Sequence, residues 1–153
     1  MKRPFLALCA VVAVAGFAFP AANAAADPGM SFAVGGFQGG VGNQNIGFSA
    51  HYTGAGEVVG YVSETLAVSE FPLSTLRGEV ECLAVSGNRA AVGYLVQEAS
   101  GIFASLIGTR QMLLVQDSEA GDTFAFGFIT DCTAAISIEP VFPIEDGNII
   151  VRA

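Results

Sequence analysis

Tryptophan is absent, histidine occurs once, and lysine occurs only at position 2. Charged residues make up 13% of the 153-residue chain, six basic against 14 acidic, for a formal net charge of −8. So few charges exclude a long salt-bridged helix or a coiled coil. So few bases exclude the clustered Lys and Arg of a nucleic-acid-binding surface. There is no C-x-x-C pair, phosphate-binding loop, dinucleotide fingerprint, Gly-x-Ser-x-Gly elbow or N-glycosylation sequon. What is present in quantity is apolar: 52% of residues are hydrophobic, enough to bury a core and to exclude a disordered chain.

Much of that apolar content sits at the start. Lys2 and Arg3 precede a run from Phe5 to Phe19, broken by Pro20 and followed by Ala22-Asn23-Ala24. A positive start, an apolar stretch of 15 residues and a small-residue cleavage site predict a secretory signal peptide over 1–24. Cleavage after Ala26 is the alternative. The run is too short for a membrane span of about 20 residues, and no later run is longer. Without this leader four Arg face 14 acids, a net charge of −10 with no Lys. That balance predicts a soluble monomer that avoids nucleic acid and anionic membranes. The expected location is secreted or extracytoplasmic.

Loss of the leader also removes Cys9 and leaves Cys82 and Cys132. In an exported chain two cysteines most simply form a disulfide; a redox or metal pair and two free thiols are the alternatives.

Along the rest of the chain the hydrophobic period is two. Ile46, Phe48, Ala50 and Tyr52 alternate with Gly47, Ser49 and His51, which marks a half-buried strand. Glu57–Ser63, Val80–Val85, Ala90–Val96, Arg110–Gln116, Thr123–Ile129, Ala135–Glu139 and Asn148–Arg152 read likewise. Ser86-Gly87-Asn88-Arg89 between two such runs is a hairpin signal. Ile102, Phe103, Leu106 and Ile107 share a helical face, but Gly101 and Gly108 confine it to two turns. Gly35–Asn45 is rich in Gly and Asn and reads as flexible. The expected fold is therefore all-β, one antiparallel sandwich or barrel of eight or nine strands over 46–153, behind a flexible segment at 25–45.

Three patches carry a family likeness. Gly78-Glu79-Val80-Glu81-Cys82-Leu83-Ala84-Val85-Ser86-Gly87-Asn88-Arg89-Ala90-Ala91-Val92-Gly93 resembles a pattern of exported bacterial β-domains of unknown function. Phe48-Ser49-Ala50 through Gly56-Glu57-Val58-Val59-Gly60 is similar to their first hairpin, and Val115 through Phe126 to their late acidic turn and strand. Ser118 and Glu119 stand where such domains often carry Asn-Gly. The resemblance implies a compact all-β exported domain and brings no catalytic residues.

Candidate chemistry is sparse. Ser49-x-His51 invites a nucleophile and base, but i and i+2 neighbours on a strand stand side by side, and a triad needs an orienting acid and an oxyanion hole. Asp117, Glu119 and Asp122 form a weak calcium candidate without the length or closing Glu of an EF-hand. Glu79 and Glu81 share a strand face about 7 Å apart, as solvated carboxylates on a strand commonly do. No cofactor is expected. The function expected is a non-enzymatic β-domain that binds a protein or envelope component. The alternatives are a small-ligand carrier with a cavity lined by Phe124, Phe126, Phe128 and Tyr residues, and a secreted hydrolase using His51 or paired acids.

Overall fold

A computed structural model describes residues 31–40, 43–69, 72–128 and 131–153. The signal peptide expected over 1–24 lies outside them. Eight strands follow one another: β1 (Phe32–Gly39), β2 (Asn43–Tyr52), β3 (Val58–Ala67), β4 (Ser74–Ser86), β5 (Arg89–Ala99), β6 (Arg110–Gln116), β7 (Thr123–Gly127) and β8 (Phe142–Arg152). Each pairs antiparallel with its chain neighbours, and β1 also pairs with β8, so the sheet closes into a barrel. Closure gives every strand a partner on both sides, though the β7–β8 seam is only two residues long. A 3₁₀ helix at Gly101–Leu106 bridges β5 and β6, and α1 (Cys132–Ala135) lies between β7 and β8. Among the described residues no helix is long and apolar enough to cross a membrane.

The alternation read in β2 is present: Ile46, Phe48 and Ala50 are buried while His51 is exposed. These side chains join Phe37, Val62, Leu76, Tyr94, Leu113, Phe124 and Ile149 in the barrel interior. Gly87 takes a positive φ of 59° in the β4–β5 turn, and among the described residues no non-glycine residue does so. That is the pattern of a hairpin with Gly at its first central position.

The flexible segment expected over 25–45 is corrected from residue 32 onward. β1 pairs over its whole length, with Ala33 and Phe37 in the core. Its glycines mark close approach rather than freedom. A Cβ on Gly35 would sit 2.8 Å from the Phe48 ring and 2.8 Å from the Asn148 carbonyl oxygen. The barrel therefore begins before residue 46.

The strand expected at Ala135–Glu139 is also corrected: α1 and its trailing turn occupy that stretch, and β8 starts earlier, at Phe142. Asp131 caps α1, its carboxylate accepting from the Thr133 and Ala134 amides, which satisfies donors the helix itself leaves unpaired. Cys132 and Ala135, one turn apart, bury themselves against the barrel's outer wall.

That wall is Ala91, Met112, Leu114 and Ala125. It explains why Met112-Leu113-Leu114-Val115 is apolar without alternation: β6 is covered on both faces. The Cys82–Cys132 disulfide, with Cα atoms 6.1 Å apart, ties α1 to β4. Gly93 lies opposite Cys82, where a Cβ would stand 2.5 Å from the Cys82 sulfur and 3.2 Å from that of Cys132.

Candidate functional site

The sequence's own candidates are dispersed. Ser49 and His51 both lie on β2, and neither side chain makes a hydrogen bond among the described residues. Glu79 accepts from Gln97, and Glu81 forms an ion pair with Arg110 at 2.6 Å. Each carboxylate thus has its own partner on an exposed face.

The acidic turn has a structural task. β7 and β8 pair only at Thr123–Pro143 and Phe124–Phe142, so the later amides of β8 need other acceptors. Asp122 takes the Ile149 amide at 3.0 Å with one oxygen and the Ser118 amide at 2.9 Å with the other. Asp117 takes the Val151 amide at 3.2 Å. Glu119 is exposed and accepts no hydrogen bond among the described residues. Among the described residues no three His, Cys, Asp or Glu side chains gather where a metal would be held.

The opposite end of the barrel holds a different arrangement. Four connections meet there: β1–β2, β3–β4, β5–β6 and β7–β8. Beyond Phe124, β7 and β8 diverge, and the barrel opens into an apolar cup of about 210 Å³. Its walls are Leu66 of β3, Phe103 of the 3₁₀ helix, Phe124 and Phe126 of β7, and Phe142 of β8. Phe124 is the hub, with ring centroids 4.8 Å from Phe37 and 5.8 Å from each of Phe126 and Phe142. Phe126 and Phe142 are 39% and 47% exposed, forming an open rim. Phe128, expected to share this lining, is 79% exposed and stands outside it, and no Tyr lines the cup.

At the cup's floor lies Glu64, only 6% exposed, hydrogen-bonded by the Gln44 amide at 2.5 Å. Burial pushes the Glu64 carboxyl above its ordinary value of 4.5, with the Gln44 hydrogen bond pulling the other way. Tyr94, buried in the barrel interior, is raised as well, by burial first and then by the Glu64 charge, so its phenol stays neutral.

Sequence reading missed this pair. Its signal was parity: Glu64 falls two residues after the inward Val62, facing the core where an acid is costly. The strand was read as ending at Ser63, one residue before Glu64, whereas β3 runs on to Ala67.

The raised carboxyl has a stability consequence. Between the unfolded and folded values the native state holds a proton that the unfolded chain releases, so stability falls as pH rises through that window. Below it both states are protonated and nothing is lost. Glu64→Gln is therefore expected to raise the melting temperature at pH 7 and to leave it nearly unchanged at pH 4, read by thermal melts at both. A lower melting temperature of the variant at pH 7 would show that the charged carboxylate stabilises the fold.

No family model, curated protein or solved structure matches the chain.

Proposed function

We propose that this chain is an exported, non-enzymatic binding domain that holds a small, largely apolar ligand in the mouth of its barrel. One observation carries the reading: an aromatic-walled cup whose floor holds a buried Glu64 hydrogen-bonded by a half-buried Gln44. Small-molecule sites combine those parts, apolar walls for affinity and a few polar groups for orientation. An apolar cavity of about 150 Å³ is enough to hold benzene, so a cup of about 210 Å³ suits one ring or a short chain. Export is supported by the leader pattern at 1–24 and by the disulfide.

A second reading, contact with an envelope protein, is favoured by Phe128 at 79% and Val141 at 69% exposure on the connection leaving the mouth.

The test is a titration of single-ring compounds followed by protein-observed NMR. Saturable shifts confined to Leu66, Phe103, Phe126 and their neighbours are expected. A ligand at ten times its Kd is expected to add about 1.4 kcal/mol of stability. Phe142→Ala should weaken binding, and Phe128→Ser should leave it unchanged. Shifts that scatter over the surface, or none at all, would overturn the reading.

A further inference from the structure

Resting on that reading of the mouth, we infer that the ligand is a small organic ammonium, a protonated primary amine on one ring or short aliphatic tail. The argument is an inventory of donors and acceptors at the cup's floor. An ionised carboxylate only accepts hydrogen bonds, and an amide offers one oxygen and two N–H groups. The Gln44 amide nitrogen donates to one Glu64 oxygen. That orientation turns the Gln44 carbonyl oxygen toward Gly40, where a Cβ would come within 2.5 Å of it. Among the described residues neither that oxygen nor the second Glu64 oxygen receives a hydrogen bond. The floor is thus rich in acceptors, and an ammonium group brings three donors.

Charge points the same way. Among the described residues no Arg lines the cup and none pairs with Glu64. Arg89 and Arg110 are engaged with Glu139 and Glu81 on the outer face. A buried carboxylate without a counter-charge is expensive, and a bound ammonium supplies the missing partner. Among the described residues, the titratable group that feels the Glu64 charge is Tyr94, and its phenol is neutral. Above the floor stand the Phe124, Phe126 and Phe142 rings, and aromatic rings attract cations. The chain's acidic balance raises the local concentration of cations and disfavours anions.

The test compares three compounds of one shape by calorimetry at pH 7.5: 2-phenylethylamine, 2-phenylethanol and phenylacetate. The amine is expected to bind about tenfold or more tighter than the alcohol, as a charge-assisted hydrogen bond in a buried site would give. Phenylacetate should bind weakest. Glu64→Gln should bring the amine down to the alcohol's affinity, closing the gap between the two compounds. An alcohol that binds wild type as well as the amine would overturn the ammonium inference and leave the apolar-ligand reading standing. Retention of the amine's advantage in Glu64→Gln would overturn it too. If none of the three binds, both readings fall. The amine-to-alcohol ratio in wild type decides the matter even without a folded variant.

Discussion

Replacing Cys82 and Cys132 together by serine is expected to cost about 4 kcal/mol of folding stability. The bridge closes a loop of 50 residues, which runs through β5, the 3₁₀ helix, β6 and β7. In the chain-entropy account, opening that loop frees the unfolded ensemble by this amount. Set against a typical domain stability of about 5–15 kcal/mol, the loss is a large fraction of the whole. The native state suffers as well. α1 is only four residues long, too short to persist alone, and it covers Met112, Leu114 and Ala125. Untethered, it is expected to fray from the wall and expose that patch. The cup lies inside the mouth rather than on the outer wall, so ligand affinity should survive in whatever fraction stays folded. Urea unfolding of the oxidised wild type, the reduced wild type and the double variant measures this. A variant within about 1 kcal/mol of oxidised wild type would show that the bridge adds little.

The alternating residues of β2 and the Gly87-Asn88 turn could be read directly, because parity and turn chemistry are local properties of the chain. So could the cysteine pair, because the leader expected over 1–24 would take Cys9 with it and leave two. Barrel against sandwich could not: both show the same alternation, and closure depends on β1 meeting β8 from opposite ends of the sequence. β1 itself was hidden because Gly35 and Gly36 look like linker residues until Phe48 is seen lying against one of them. α1 was misread because Ala135–Glu139 alternates by accident, while the capping Asp131 ahead of it carried the true signal. Of the cup, Phe124 and Phe126 were legible as neighbours on one face. Gln44, Glu64, Phe103 and Phe142 come from four separate elements, and only the closed barrel brings them together.

Phe124→Ala is expected to lose about 3–5 kcal/mol, the usual range for truncating a buried aromatic. Phe124 is 1% exposed and belongs to two structures at once. Its ring fills the barrel interior beside Phe37, and its backbone pairs with Phe142 in the two-residue seam that closes β7 onto β8. Removing the ring leaves a void that neighbours on paired strands can fill only in part, and the cup deepens into the core. Phe126→Ala is the informative contrast. Its ring meets Phe124 edge to face at 5.8 Å but is 39% exposed at the rim, so truncation there should cost about 1 kcal/mol while still weakening ligand binding. The two substitutions thus separate the cup's inner wall, which the fold depends on, from its rim, which only a ligand would need. Chemical denaturation of both variants beside wild type, with ligand titrations on each, reads the two effects independently. Equal stability losses at the two positions would mean that the rim is part of the core and that the mouth is not organised around a ligand.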